Sequence, residues 1–184
     1  VDSAQRSFGE LLEELAAPSP SPAAGTACAW TVAVASGLVE LAAGVTVARP
    51  ELADVHPRMR EILARVRELR AEAIALGDRD RTSFAAVLEA QRRPGDDPAR
   101  AERVAEALSD AADAPLGVAR AAAEIADLAT EVARTGHRAP AGDAAAGALL
   151  AKAACTASAR IVLMNLSRRR DDPRAVEARA LTDQ

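Results

Sequence analysis

The sequence predicts an all-α protein, a multihelical bundle in which two long, nearly all-apolar central helices are surrounded by amphipathic ones. Three observations carry this. From Gly25 to Ala48 some two dozen residues contain Glu40 as their only charge, and the run from Asp143 to about Ser167 is again largely small and apolar. A helix that is apolar all round must be surrounded, by protein or by lipid. Second, the segments between repeat their apolar residues at intervals of three and four, which is one face of a helix. Third, no strand alternation or hairpin turn occurs, and aromatics make up only 2% of the chain (Phe8, Trp30, Phe84), leaving Ala, Leu, Val and Ile to build a closely packed core.

At 184 residues the chain reads as a single domain, 1–184. A net charge of −4 argues against a nucleic-acid partner. Two widely separated cysteines, Cys28 and Cys155, make no disulfide framework, so a reducing cytoplasm is expected. Glu10, Glu13 and Glu14 interrupt any basic-then-apolar leader pattern. The Gly25–Ala48 stretch is long enough to span a bilayer. It is nevertheless rich in Ala, Gly, Ser and Thr, lacks an aromatic or basic belt, and stands as the only such segment. Burial within the protein is the expectation, with no membrane partner.

In order, Ser3 to Ala17 reads as a short amphipathic helix with Phe8, Leu11, Leu12 and Leu15 inward; Ser7 and Glu10 have capping-box spacing, and Ser3 is an equally good start. Pro18, Pro20 and Pro22 then make an extended elbow. After the first central helix, Pro50 breaks the chain, and Pro57 opens a helix with Asp54 or His56 as cap. Met59, Ile62, Val66, Leu69, Ala73 and Leu76 form its inner stripe. Continued past Gly77, that stripe reaches Asp80, Phe84 and Val87. A carboxylate on a buried face is costly unless paired or hydrogen-bonded. Either Asp80 is a site carboxylate in a cleft, or Gly77 breaks the helix and leaves Asp80 as an exposed cap; the pattern alone does not choose. Arg92–Asp97 is a turn. Asp97 and Pro98 start a helix with Ala101, Val104, Ala105 and Leu108 inward. Asp113 and Pro115 start a peripheral one with Val118, Ala122, Ile125 and Val132 inward. Thr135–Gly142 is a loop, and Pro173 opens a short surface helix. In the last long helix Asn165 reads as a satisfied core amide in preference to a site residue.

Zinc-ligand spacings, phosphate-binding loops, dinucleotide fingerprints and nucleophile elbows do not occur. His56 and His137 read as solvated loop residues. What remains are helix-borne carboxylates, one amide, and an elbow of small residues at a helix N-terminus, whose free N–H groups suit an anion or a flat ligand.

The order of these pieces resembles the cyclodeaminase/cyclohydrolase family over about residues 7 to 171. FGELLEELAAPSPSPAAG looks like that family's opening helix and Pro-Gly-Gly-Gly elbow, and LVELAAGVT like the end of its central helix. DRDRTSFAAVLEAQRRP is similar to its segment with a carboxylate before Ala-Phe and a Leu-Pro turn. APLGVA resembles its Val-Pro-Leu helix start, TGHRAPAGDAAAGALLAKAA its Gly-Asn loop followed by Ser-Asp, and IVLMNL its terminal apolar-Asn-Leu. The resemblance implies an all-helical homodimer. It would hydrolyse 5,10-methenyltetrahydrofolate or cyclodeaminate 5-formiminotetrahydrofolate, with no metal or separate cofactor. It implies Asp80 and Asp143 as catalytic carboxylates, and Gly25, Thr46, Arg49, His137 and Asn165 as substrate-binding, Arg49 being placed for the anionic glutamate tail.

The departures fall at polar or glycine positions. Pro22-Ala23-Ala24-Gly25 stands for Pro-Gly-Gly-Gly, Gly44 for an Asn, His137 for an Asn, Gly142 for a Ser, and Trp30 for a smaller aliphatic. They suggest an altered substrate or a family member that binds a folate-like ligand or a protein without turnover. A geometric expectation also follows. Asp143 and Asn165 are separated by most of one helix, roughly 33 Å at 1.5 Å per residue, and Gly25 and Thr46 similarly. A two-fold dimer would bring one end of each helix to the other end of its partner's.

Overall fold

The computed structural model describes residues 3–182. Ser7 starts the first helix, α1 (Phe8–Ala16), by a reciprocal capping box with Glu10. The alternative start at Ser3 is not used. Ser3–Gln5 is instead a short 3-10 turn, held because Ser3 donates its hydroxyl (2.6 Å) and amide (3.2 Å) to the Asp78 carboxylate. The prolines end α1 and form the elbow, with a cis Ser21–Pro22 bond. Helices α2 (Ala24–Val47), α3 (His56–Gln91), α4 (Arg100–Asp110), α5 (Asp113–Thr135), α6 (Ala141–Asn165) and α7 (Pro173–Thr182) follow, with a 3-10 segment Pro50–Val55 before α3. Strands do not occur among the described residues.

Helices α2 and α6 lie against each other in opposite directions. A Cβ on Gly147 would sit 3.1 Å from the Ala35 carbonyl oxygen, so glycine lets the two backbones approach. Near one end Cys28 faces Ser158; at the other the His137 amide donates to Thr46 Oγ1. Helices α3 and α5 cover this pair, and one apolar core contains Val32, Val39, Met59, Ile62, Val66, Leu69, Leu116, Val118 and Ile125.

Several expectations are corrected. Gly77 does not break α3. It is buried, with Ala29 Cβ 3.1 Å from where its own Cβ would be, so its smallness serves close packing on α2. The stripe therefore keeps its phase and Asp80 points inward. Neither Asp54 nor His56 caps α3; Val55 is its N-cap. Asp97 accepts the Ala99 amide, but α4 begins two residues later than Pro98 and leaves Ala101 exposed. Helix α5 is not peripheral: 11 of its 23 residues are buried, against 8 of 25 in α6. Nor is α7 merely superficial, since Ala175 and Ala178 enter the core. The central helices are only partly surrounded: Val34, Leu41, Leu149 and Met164 are exposed, Met164 to 72%. Helix α6 is also, by length and hydropathy alone, as able to cross a membrane as α2, so the long apolar segments number two and not one.

Candidate active site

Two helices meet at the site. Helix α2 begins at the elbow without a side-chain cap of its own, and α3 brings Asp80 to that bare end. Thr26 Oγ1 donates to Asp80 Oδ2 at 3.0 Å, and the Thr26 amide also faces the carboxylate. The carboxylate thus serves as the missing cap, favourable both for the free N–H groups and for the helix dipole. The approach is possible because residue 25 is glycine. A Cβ there would lie 2.6 Å from Oδ2 and 2.7 Å from Cγ. Burial pushes the Asp80 carboxyl above its ordinary value, opposed by the Thr26 hydroxyl and then its amide.

Beside this pair opens a cleft of about 180 Å³ lined by Ser21, Ala23, Ala24, Gly25, Asp80, Phe84, Ala111, Ile161, Met164 and Asn165. Phe84, Ile161 and Met164 make apolar walls. The methyls of Ala23 and Ala24 are exposed at the elbow. Asn165 is not simply a core amide: it is half-buried, lines the cleft, and donates Nδ2 to the Ala111 carbonyl at 3.1 Å. Sequence reasoning missed Thr26, although it is the only hydroxyl in the first turn of the apolar helix. It also missed Ser21, Ala111, Ile161 and Met164 as lining, which no local pattern marks.

The other expected residues gather at the opposite pole. Thr46 is buried and accepts the His137 amide at 2.9 Å while donating to the Ala42 carbonyl at 2.8 Å. His137 is half-buried, and its Nδ1 accepts the Ala139 amide at 3.3 Å. Arg49 is exposed, and its carbonyl contacts His56 Nε2 at 2.9 Å. Asp143 is exposed in the first turn of α6. Gly44 and Gly142 have open space where a side chain would be. Gly25, Asp80 and Asn165 therefore share one cleft, whereas Thr46, Arg49, His137 and Asp143 lie about 30 Å away along α2 and α6. Among the described residues, His, Cys, Asp and Glu side chains nowhere gather in threes as metal ligands.

An apolar cleft between helices, with a half-buried carboxylate and an amide in its wall, has the chemical make-up of small-molecule sites on all-helical scaffolds. Comparison with known proteins narrows the class. The family model for formiminotransferase-cyclodeaminase matches residues 7–184. The methenyltetrahydrofolate cyclohydrolase of Methylorubrum extorquens is 30% identical over 159 residues, covering 84% of this chain and 76% of that protein. The crystal structure of formiminotetrahydrofolate cyclodeaminase from Thermotoga maritima superposes with a TM-score of 0.85 at 24% identity, covering 98% of this chain and 88% of that one. The chain belongs to the formiminotransferase-cyclodeaminase family.

Proposed function

We propose that this protein hydrolyses 5,10-methenyltetrahydrofolate to 10-formyltetrahydrofolate in the cytoplasm, with Asp80 as the catalytic carboxylate and no metal or added cofactor. The observation that carries this is Asp80 itself, an inward carboxylate pinned to the start of α2 beside an apolar cleft. The methenyl carbon belongs to a cationic amidinium, which a desolvated carboxylate stabilises. Water adds to that carbon as Asp80 takes one of its protons. The bond from the carbon to N5 then breaks. Asp80 returns its proton to N5, and the remaining hydroxyl proton leaves to solvent as the formyl C=O forms. The cation and water thus become neutral product and one proton. The cyclohydrolase reaction is preferred to cyclodeamination because the relative similar at 30% identity carries that name.

The reading includes a second copy. A cleft of about 180 Å³ is smaller than the roughly 300 Å³ at which small-molecule pockets begin. The exposed Met164 is at its edge, and Val34 and Leu150 share a groove with Phe8 and Leu12 on the neighbouring surface. In a two-fold dimer the far-pole Thr46, Arg49, His137 and Asp143 of one copy complete the Asp80 cleft of the other. Arg49 there takes the glutamate tail, and Asp143 is the second carboxylate. A second reading, ligand binding without turnover, is favoured by the Ala23 and Ala24 methyls lining the cleft.

The test follows the near-ultraviolet absorbance of 5,10-methenyltetrahydrofolate against its spontaneous loss. Acceleration abolished by Asp80→Asn supports hydrolysis. Binding by calorimetry without acceleration supports the second reading, and ammonia release from 5-formiminotetrahydrofolate supports cyclodeamination. Activity from a species that sediments as a monomer rejects the shared site.

A further inference from the structure

Asn165 holds its orientation because of what it touches. The Ala111 carbonyl can only accept, so the amide nitrogen must face it, and at 3.1 Å it does. Asn165 Oδ1 is then the free end, with no partner among the described residues. Ala111 belongs to the two-residue corner between α4 and α5. That corner is gripped from its other side by the last helix. Arg174 donates from Nη1 to the Ser109 carbonyl at 2.8 Å and to Asp113 at 2.6 Å, and from Nη2 to Ser109 Oγ at 2.7 Å. Asp172 holds the same guanidinium at 2.9 and 3.0 Å, and Arg169 adds a 3.3 Å bond to Ser109 Oγ. Ser109 is only 3% exposed, and the guanidinium closes over its buried hydroxyl and over its helix-terminal carbonyl, whose backbone partner is the Ala112 amide at 3.2 Å. A planar fork is required; an ammonium cannot reach the hydroxyl, the carbonyl and both aspartates together.

We infer that Arg174 is a positioning residue for the cleft: by clasping Ser109 it fixes the Ala111 carbonyl, which turns Asn165 so that its Oδ1 meets ligand as a hydrogen-bond acceptor. The cleft then offers an amide carbonyl beside the Asp80 carboxylate, which selects ligands that present N–H donors along one edge. This rests on the reading of a folate substrate only for the choice of ligand; the clasp itself is tested without it.

Asn165 is the only asparagine in the chain. Protein labelled with ¹⁵N-asparagine therefore shows a single side-chain NH₂ pair. In Arg174→Lys that pair should move towards free-amide shifts and exchange faster with solvent. A matched control is Arg120→Lys. Arg120 ties α7 to α5 through a two-pronged pair with Glu177, both bonds 2.6 Å, without touching the corner. It should leave the Asn165 signals in place. Ser109→Ala, which removes one acceptor of the clasp and keeps the guanidinium, should move them part of the way. With 5,10-methenyltetrahydrofolate, Arg174→Lys should raise KM about threefold to tenfold with kcat changed less than twofold, the effect of one neutral hydrogen bond to ligand. Unmoved Asn165 signals in Arg174→Lys, or equal movement in Arg120→Lys, overturn the inference. Failure of the wild type to turn over or bind the folate rejects the proposed function, and the NMR comparison still decides the clasp.

Discussion

Gly25→Ala is the smallest change that tests the geometry of the site. The new methyl would lie 2.6 Å from Asp80 Oδ2 and 2.7 Å from its Cγ, where ordinary contacts begin at 3.4 Å. Asp80 Oδ1 lies nearer still, so the carboxylate must retreat by about 1 Å, and the 3.0 Å bond from Thr26 Oγ1 is broken or badly stretched. Overpacking of this kind costs about 1–3 kcal/mol, and the lost hydrogen bond about 1 kcal/mol. Alanine regains about 0.5–1 kcal/mol of helix propensity. The overlap wins, leaving a net loss of about 1–4 kcal/mol. At about 2–4 °C per kcal/mol for a chain of this size, a midpoint loss of about 2.5 kcal/mol lowers Tm by roughly 5–10 °C. Denaturant melts of Gly25→Ala, Asp80→Ala and the double variant form a cycle. Because Asp80→Ala vacates the space, the double variant should be more stable than the sum of the single losses predicts, by about 1 kcal/mol or more. Additive losses, or a Gly25→Ala protein as stable as wild type, would show that Asp80 does not rest on Gly25.

Further outcomes follow from the same contacts. Burial raises the Asp80 pKa, so its charge opposes folding. The native state binds that proton more tightly, and wild type loses stability relative to Asp80→Asn as pH rises from below the ordinary aspartate value of about 3.9 through the raised one. Urea midpoints of the two proteins between pH 3.5 and 7 should diverge in that sense; a pH-independent difference refutes it. Ala23→Gly with Ala24→Gly removes two exposed methyls from the cleft lining, and should tighten binding of the proposed folate ligand while costing at most about 1 kcal/mol in stability, all of it at Ala24, since Ala23 is the N-cap where glycine is tolerated, read by calorimetry and melting. On the proposed dimer, Leu149→Glu, on the exposed apolar surface of α6, should leave helicity intact and shift sedimentation to monomer; wild type already sedimenting as a monomer refutes that proposal. Arg58→Ala should leave the denaturant midpoint indistinguishable from wild type, since its pairs with Glu131 and Glu61 are solvent-exposed and screened; a clear fall in the midpoint refutes this.

The fold was legible because period and composition agree in nearly every segment: the stripe Met59, Ile62, Val66, Leu69, Ala73 is buried residue by residue. Asp80 was legible in part, as a charge on an apolar stripe, but the stripe could not say whether Gly77 ended the helix. That depended on α2 lying close enough to need a glycine, a tertiary fact. For Asn165 helix phase alone favours a core amide and only the family resemblance points to a site, because phase cannot separate a core amide from one that lines a cleft. The difference is the Ala111 carbonyl, which is 54 residues away in the chain. The peripheral reading of α5 failed for a related reason. Its polar face is real, but its Ala-rich inner face is wide enough to pack on α2, α3, α6 and α7 together.

The two apolar helices carry the remaining argument. Their composition demands covering on all sides, and one chain covers only part of each, leaving Val34, Leu41, Leu149, Leu150 and Met164 open. The expected site positions are divided in the same way: Asp80 and Asn165 at one pole, Thr46, Arg49, His137 and Asp143 at the other. A bilayer would satisfy the first observation and do nothing for the second. The proposed second copy, laid antiparallel across the open face, would answer both at once. On that proposal the uncovered surface and the divided site have one common origin. A substitution on the open face that keeps the chain monomeric should therefore abolish the proposed turnover even though Asp80 and its cleft remain intact in the isolated chain; turnover by such a monomer would refute the proposed shared site.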